Sequence, residues 1–339
     1  MSNRVVIVGL FSDPGKSPVT QGYELARVLK ANGYKVLTVS RYYNKLLRLI
    51  DIVWQLIAKK GQYDTAIVQF YSGNSFIWQY VAGHIVKLLG KNLVFTIHGG
   101  GVPARIKRFP KRYLSLLKKA DKITCPSPYM ADVLHRYMVH CLVIQNIIPL
   151  SQYRFVPKES FRPTILWMRA FSDIYNPEMA IRAIEIVNQV YPGTKMYMAG
   201  PDLGSLPAAM ILVNELQVDN NIEVVGFADK EKKQQLAEIC DIYISTNRID
   251  NSPVTITEMW ALGLPVISTN VGGVPYMIQD SVNGMLVDND DYKALAEKII
   301  ATIKDSEQSK RIVQQALMDV DKYDEKVVLK KWQSLLADL

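Results

Sequence analysis

The chain alternates short, continuously apolar runs with longer segments in which apolar residues recur at helical spacing. Runs of four to six residues without polar alternation are typical of parallel strands buried on both faces. They occur at residues 5–10, 36–39, 65–70, 93–97, 123–127, 142–145, 164–168, 195–199, 222–225 and 265–268. The segments between them, such as residues 21–32, 76–89, 178–190 and 254–262, are predicted helices. This order of elements predicts doubly wound α/β domains.

Length and charge together indicate two domains. A chain of 339 residues exceeds what one hydrophobic core usually serves. Residues 1–150 carry 21 Lys and Arg against 6 Asp and Glu, a net +15, whereas residues 151–339 carry 19 against 26, a net −7. The two parts differ electrostatically, so we place a domain boundary near residue 150.

The composition also limits the cellular setting. Three cysteines, Cys125, Cys141 and Cys240, have no metal or disulfide spacing, which fits a reducing compartment. The first predicted strand begins too early to leave room for a signal peptide. The most apolar helical stretch, residues 46–58, is interrupted by Arg48 and Asp51, and no run approaches the ~20 residues of a membrane span. We therefore expect a cytoplasmic protein.

Residues 105–122 form a predicted basic, amphipathic helix with eight Lys and Arg among apolar residues. Two interpretations stay open. The segment is a membrane-surface helix that touches the inner face of the membrane, or a core-packed helix with a solvated basic face. Nucleic acid is not expected as a partner, because no stacking aromatic residues or binding motif accompany the charge.

Two features of the first domain are candidates for ligand contact. The loop after the first strand contains Gly15 and Lys16, but Leu10 stands where a phosphate loop needs Gly, so we reject that motif. We expect this loop to approach the acceptor or a pyrophosphate through its backbone. His98 follows the strand at residues 93–97 and precedes three glycines, at the strand end where α/β folds bind ligands. The alternative is an ordinary packing histidine.

Residues 248–284 carry the most specific pattern in the chain. Asp250 precedes a short predicted helix, residues 254–262, that contains Glu258 and stops at Gly263. The N-terminus of this helix, at Pro253, offers backbone N–H groups that favour a phosphate, those of Val254, Thr255 and Ile256. The two carboxylates can border one pocket, and the glycines at residues 272–273 allow a tight turn where a ligand could lie. The alternative is an ordinary helix-loop-strand unit with solvated acids.

Other strand ends of the second domain add candidates. Arg169 follows the strand at residues 164–168 and is well placed to hold a diphosphate by bidentate contacts. A surface arginine is the alternative. Gly200 ends the next strand in a turn suited to close backbone approach, and Gly226 and Phe227 follow the strand after that.

The pattern Asp250, seven residues, Glu258, then Ala261, Gly263, Pro265, Val266, Ile267, Gly272, Gly273, Asn283 and Gly284 resembles the C-terminal signature of the retaining glycosyltransferases of family 4. That family has the GT-B fold, which implies two Rossmann-like doubly wound domains facing across a cleft. The resemblance implies an acceptor-side domain at residues 1–150, a donor-side domain at residues 151–322 and a helical segment at residues 323–339 that packs back on the first. The chain departs from the family in four places: Asp250 replaces the usual Glu, Tyr276 replaces a further Glu, residues 171–176 lack a Lys, and the loop near Lys16 lacks a Gly-Gly pair.

The resemblance implies transfer of a sugar, with retention, from a UDP- or GDP-linked donor to a hydroxyl of a glycan or lipid-linked glycan. Asp250 would hold the donor sugar, Glu258 the ribose, Arg169 and the helix N-terminus the diphosphate, and Gly226 with Phe227 the base. His98 would position the sugar or acceptor from the other domain. No metal and no cofactor besides the donor substrate is expected. The alternatives are a GT-B epimerase or phosphorylase and a non-catalytic nucleotide-sugar-binding subunit.

Overall fold

The computed structural model describes residues 3–11 and 19–339. The chain forms two compact units. The first unit contains residues 1–147 together with residues 323–339, and the second contains residues 148–322. Gly15 and Lys16, proposed from the sequence to approach a ligand, lie outside the described residues.

The first unit is built on a parallel sheet of six strands in the order β2-β1-β3-β4-β5-β6. The strands are β1 (Arg4–Val8), β2 (Lys35–Val39), β3 (Thr65–Phe70), β4 (Asn92–Ile97), β5 (Lys122–Cys125) and β6 (Leu142–Val143). Every residue of β3 is buried, which explains why its sequence is mostly apolar.

The second unit is also built on a six-stranded sheet with only parallel pairs, but in a different order, β12-β11-β10-β7-β8-β9. The strands are β7 (Thr164–Met168), β8 (Lys195–Ala199), β9 (Ile222–Gly226), β10 (Ile242–Ser245), β11 (Val266–Thr269) and β12 (Met285–Val287). Two doubly wound parallel sheets confirm the predicted α/β class.

Helices flank both sheets. They are α1 (Gln21–Ala31), α2 (Lys45–Ala58), α3 (Phe76–Leu88), α4 (Val102–Arg108), α5 (Pro110–Leu117), α6 (Pro128–His135), α7 (Pro177–Val190), α8 (Leu206–Glu215), α9 (Lys230–Ile239), α10 (Val254–Leu262), α11 (Tyr292–Lys304), α12 (Ser306–Asp319) and α13 (Glu325–Ala337). No helix of the described residues combines the length and the apolar character needed to cross a membrane.

Helix α10 has the bounds that its flanking residues predict. It follows Pro253, which has no N–H to satisfy, and it ends at Gly263 with φ of +89°, a left-handed conformation that favours glycine. A Cβ at position 263 would lie 2.7 Å from the Phe155 ring, so the space as well as the backbone conformation requires glycine here.

The single helix predicted over residues 105–122 is wrong. The structure has two helices, α4 and α5, divided at Phe109, because Pro110 cannot continue a helix and instead begins the next one. Most apolar residues of the two helices point inward, as Ile106, Tyr113 and Leu116 are all buried, whereas Phe109 between them is 41% exposed. The structure therefore favours the core-packed interpretation of this segment.

The last helix, α13, belongs to the core of the first unit. Val328, Trp332 and Leu335 are buried in one apolar cluster with Val5 and Ile7 of β1. Arg27 of α1 also forms an ion pair with Glu325. The first unit is therefore completed by a segment that follows the entire second unit in the sequence.

Candidate functional site

The second sheet brings several of the predicted site residues to one edge. Strand β7 ends directly before Arg169, and β10 leads through residues 246–253 into α10. The carboxyl ends of parallel strands share one edge of the sheet, which is where open α/β sheets bind ligands. Arg169, Asp250 and the N-terminus of α10 thus lie within one small region of the second unit.

Asp250 is held by three hydrogen-bond donors. Its Oδ2 accepts from Nη2 of Arg169 at 2.7 Å and from Nδ2 of Asn247 at 2.8 Å. Its Oδ1 accepts from the backbone N–H of Asn251 at 2.8 Å. These contacts fix the carboxylate in one orientation. A side chain that binds a ligand needs such a fixed orientation.

Arg169 is a mostly buried cation, with 13% of its side chain exposed and part of its guanidinium unused. Its Cζ lies 5.2 Å from the centroid of the Tyr175 ring, which places the group against an aromatic face. Burial works against its charge, but the Asp250 carboxylate, and to a smaller extent Glu258, raise the pKa of Arg169 above its ordinary value. Its Nε is buried and has no partner among the described residues.

Further buried polar atoms around this pair also lack partners within residues 3–11 and 19–339. They are Oγ of Ser172, Oγ of Ser245 and Oδ1 of Asn247. An unsatisfied buried polar group costs about 1–3 kcal/mol, so native structures rarely keep several together. Their convergence indicates a place where a polar ligand completes the hydrogen bonding.

The N-terminus of α10 adds donors to the same region. The backbone N–H groups of Val254 and Thr255 have no acceptor in the part of the chain that the structure describes. The N–H of Ile256 donates to the carbonyl oxygen of Pro253 at 3.2 Å, so this predicted phosphate donor is already engaged. Two N–H groups and the helix dipole remain to favour an anion.

Glu258 lies inside α10 and has its own partners. Its carboxylate accepts from Nζ of Lys233 at 2.7 and 2.8 Å and from the hydroxyl of Tyr153 at 2.8 Å. Sequence reasoning missed Lys233, which lies in a run of polar residues with no feature that distinguishes it from its neighbours. Each predicted acid is therefore paired with a different cation.

The glycines of the signature serve the protein's own backbone. A Cβ on Gly273 would lie 1.8 Å from the carbonyl oxygen of Asn251, and one on Gly272 would lie 2.0 Å from that of Asp250. The N–H of Gly273 donates to the Asp250 carbonyl at 2.9 Å. The sequence suggested that this turn admits a ligand. The structure shows instead that it lets two backbone segments meet and thereby fixes the position of Asp250.

Gly200 has a similar structural setting. Its Cβ would lie 1.9 Å from the carbonyl oxygen of Arg169, and its N–H donates to the Gly226 carbonyl at 2.7 Å. Gly226 has φ of +77°, and the side chain of Phe227, directly after it, is partly exposed. The ends of β7, β8 and β9 are thus joined by close backbone contacts beside Arg169.

His98 lies in the first unit, directly after β4. Its Nε2 is 2.7 Å from Oε1 of Gln69, and its ring stacks on Tyr71 with centroids 5.4 Å apart. Burial lowers the pKa of His98 to about 4, so the ring is neutral at pH 7. An amide oxygen only accepts, so the neutral ring carries its proton on Nε2.

The described residues contain no group of three or more His, Cys, Asp or Glu side chains arranged to hold a metal ion. Two Asp-x-Asp pairs occur in the sequence, at residues 288–290 and 319–321. In the first, Asp290 accepts a hydrogen bond from Asn176 and pairs with Arg248. In the second, Asp319 accepts from Asn283. One acid of each pair therefore has a structural partner.

Two family descriptions match adjoining parts of the chain. Residues 152–318 match "Glycosyl transferases group 1", and residues 18–152 match "Glycosyltransferase Family 4". The lipopolysaccharide core biosynthesis glycosyltransferase LpsE of Rhizobium meliloti is 23% identical over 218 residues, which is 62% of each chain. The D-inositol 3-phosphate glycosyltransferase of Segniliparus rotundus is 24% identical over 210 residues, 57% of this chain and 46% of that protein. Across eight curated relatives, the match spans between 21% and 62% of their own length.

Solved structures extend the likeness to nearly the whole chain. Anabaena HepE, in complex with UDP and glucose, has a TM-score of 0.77 at 16% identity and covers 99% of this chain and 100% of its own. The sucrose-phosphate synthase of Thermosynechococcus elongatus has a TM-score of 0.81 at 17% identity, with 99% of both chains covered. With its two parallel six-stranded sheets and two adjoining family matches, the chain belongs to the GT-B glycosyltransferases of the group 1 and family 4 type.

Proposed function

We propose that this protein is a retaining glycosyltransferase that moves a sugar from a UDP-sugar to a hydroxyl of a glycan or lipid-linked glycan. One observation carries the proposal. Buried polar atoms without partners gather around the Arg169–Asp250 pair, beside two available N–H groups of α10. UDP is favoured over GDP because HepE, the relative with similar fold, was solved with UDP, with UDP and glucose, and with UDP-glucose.

In this proposal, each end of the donor has its own set of contacts. The free Nε of Arg169 and the N–H groups of Val254 and Thr255 hold the diphosphate. Asp250 accepts from hydroxyls of the donor sugar, and Glu258 from those of the ribose. The base lies at Gly226 and Phe227. Because residues 171–176 contain no Lys, Arg169 and the helix terminus carry the diphosphate's charge.

The transfer breaks the bond between the anomeric carbon and the diphosphate oxygen and forms one to the acceptor oxygen on the same face of the sugar. The acceptor hydroxyl gives its proton to the departing diphosphate oxygen, so a separate general base is not needed. Negative charge grows on the diphosphate as the bond breaks, and Arg169 with the α10 N–H groups stabilises it. His98 of the first unit, neutral at pH 7, is proposed to bind the acceptor by hydrogen bonding.

A thermal-shift screen of UDP, GDP, ADP and their sugars tests donor binding. A nucleotide present at 100 times its Kd adds about 2.7 kcal/mol of stability, which raises the melting temperature measurably. We expect UDP and a UDP-sugar to stabilise the protein and GDP to do so less. If none of the nucleotides stabilises it, the site is not a nucleotide site.

Turnover is then measured as UDP release in the presence of candidate acceptors. The anomeric configuration of the product is determined from the coupling constant of its anomeric proton. Inverted product would contradict the retaining assignment. Donor binding without turnover across an acceptor panel would favour the non-catalytic subunit, and sugar phosphate as a product would favour a phosphorylase.

A further inference from the structure

Helix α2 is apolar on two opposite sides. Its inward side buries Ile52 and Leu56 completely. Its outward side carries four large apolar side chains that are between 49% and 66% exposed, at Leu46, Ile50, Trp54 and Ile57. At 3.6 residues per turn these four fall within about 80° of the helix circumference. A surface helix normally turns polar residues outward, so this face is an unpartnered apolar stripe.

The stripe continues beyond the helix. Tyr42 and Tyr43, directly before it, are both exposed. The Arg48 guanidinium donates to their carbonyl oxygens, at 2.8 Å for Tyr42 and 3.1 Å for Tyr43, and so fixes the backbone that presents the two rings. Helix α3 packs beside α2 and has its own exposed apolar side chains, including Ile77. Aromatic residues with a polar tip are enriched where proteins meet the surface of a bilayer.

The charge around the stripe identifies its partner. Residues 41–60 carry five Lys and Arg against one acid, Asp51, a net +4, within a first half of net +15. A second copy of this chain would bring the same positive charge to the contact, and like charges oppose association. An anionic surface attracts the cations while its apolar interior accepts the exposed side chains.

We propose that the outward face of α2 docks this protein on the surface of a membrane that contains anionic lipids. The helix lies parallel to the surface, with Leu46, Ile50, Trp54 and Ile57 in the boundary between headgroups and acyl chains, about 5–10 Å deep. The proposal replaces residues 105–122 as the site of membrane contact, because that segment exposes one large apolar side chain, Phe109, where α2 exposes a stripe of four. It does not depend on the identity of the donor sugar or on catalysis.

Tryptophan fluorescence tests the docking directly. The chain has five tryptophans, all in the described ranges, and Trp54 is 63% exposed while Trp78, Trp167, Trp260 and Trp332 are at most 5% exposed. We expect vesicles of equal parts phosphatidylglycerol and phosphatidylcholine to shift the emission of the full chain to shorter wavelength, and brominated acyl chains to quench it. Trp54→Phe should abolish both signals while the protein still sediments with the vesicles.

The contribution of the stripe is measured by co-sedimentation of a triple variant, Leu46→Gln, Ile50→Gln and Ile57→Gln. We expect the partition of this variant onto anionic vesicles to fall at least tenfold. Binding of the unchanged protein should weaken when salt is added and when the vesicles contain only phosphatidylcholine. The matched control changes three exposed apolar residues of the second unit, Val190→Gln, Ile211→Gln and Met318→Gln, and should bind as the unchanged protein does. All six positions are exposed, so melting temperatures should stay close.

Three results would overturn the proposal. The first is an unchanged Trp54 emission with anionic vesicles. The second is an equal loss of binding in the control variant, which would show that α2 has no special part. The third is a dimer in solution that the α2 variant dissociates, since a second copy would then occupy the stripe.

Discussion

Asp250 is both a ligand-binding candidate and the partner of a buried cation, and mutagenesis can separate the two roles. We expect Asp250→Ala to abolish transfer, with a loss of at least about 100-fold, because donor sugar hydroxyls lose their acceptor and Arg169 loses its partner. Asp250→Asn keeps the shape and isolates the effect of charge. The measurements are initial rates of UDP release and the Kd for UDP, which should change much less than the rate. Transfer kinetics like those of the unchanged protein would refute the assignment.

Glu258 is proposed to bind the nucleotide rather than the transferred sugar. Glu258→Ala should weaken UDP binding about 10- to 100-fold, the range for losing hydrogen bonds to a charged group, and it also leaves Lys233 without its carboxylate. Calorimetric titration with UDP measures the effect. Glu238→Ala, which removes an exposed acid of the neighbouring helix α9, is the control and should leave the Kd unchanged. An equal effect in both variants would show that the loss is not specific to Glu258.

The low pKa of His98 predicts a pH effect on stability. The folded protein holds this pKa at about 4, below the ordinary 6.5, so the unfolded chain takes up the proton first as the pH falls. The contribution of neutral His98 to the free energy of unfolding is complete above pH 6.5 and is lost between pH 6.5 and pH 4. From pH 6.5 to pH 5, the unchanged protein should lose about 1.5 kcal/mol more unfolding free energy than His98→Asn. Urea unfolding at both pH values measures this, and parallel losses would contradict it.

At the scale of elements, the turn after β11 fixes the loop that carries Asp250. Gly273 has φ of −88°, so alanine is allowed by the backbone, but its Cβ would meet the Asn251 carbonyl. Gly273→Ala should therefore destabilise the fold by about 2–4 kcal/mol and reduce donor binding, because the loop must move. Gly61→Ala has no atom within 4 Å and should be neutral or slightly stabilising. Equal melting temperatures in the two variants would show that the turn accommodates the added methyl group without a loss of stability.

At the scale of the whole molecule, the first unit depends on the far end of the chain. Trp332 of α13 is buried in the apolar cluster that also contains β1. Trp332→Ala should cost about 3–5 kcal/mol of unfolding free energy, measured in urea, because it leaves a large cavity between segments more than 300 residues apart. Lys330→Ala, at an exposed position of the same helix, should cost less than about 0.5 kcal/mol. A similar cost at both positions would mean that α13 contributes only helix propensity.

The sequence predicts much of the fold because most strands are buried on both faces. The bounds of β3, β7, β8 and α10 agree with the structure to the residue, since apolar runs, proline and glycine mark their ends. The break at Pro110 was also signalled by the sequence, but basic residues at helical spacing on both sides of it suggested one continuous helix.

Two features could not be derived from the sequence. Lys233 and Tyr153 reach Glu258 from 25 and 105 residues away, and only the folded chain selects them from similar residues nearby. The outward stripe of α2 was hidden because a helix that is apolar on two sides does not reveal from its sequence which side is covered. The family signature predicted Arg169, Asp250 and Glu258, and the structure adds the partners that hold them.

The position of α13 sets the order in which the molecule can be completed during translation. The second unit is one continuous segment and can close as soon as it has left the ribosome. The other elements of the first unit are synthesised earlier, yet the helix that covers β1 is made only after the whole second unit. At 5–20 residues per second, the 192 residues from position 148 to 339 keep that apolar surface open for roughly 10–40 s. Strand β1 is therefore protected only after the second unit has been synthesised, and chaperones have access to it until then.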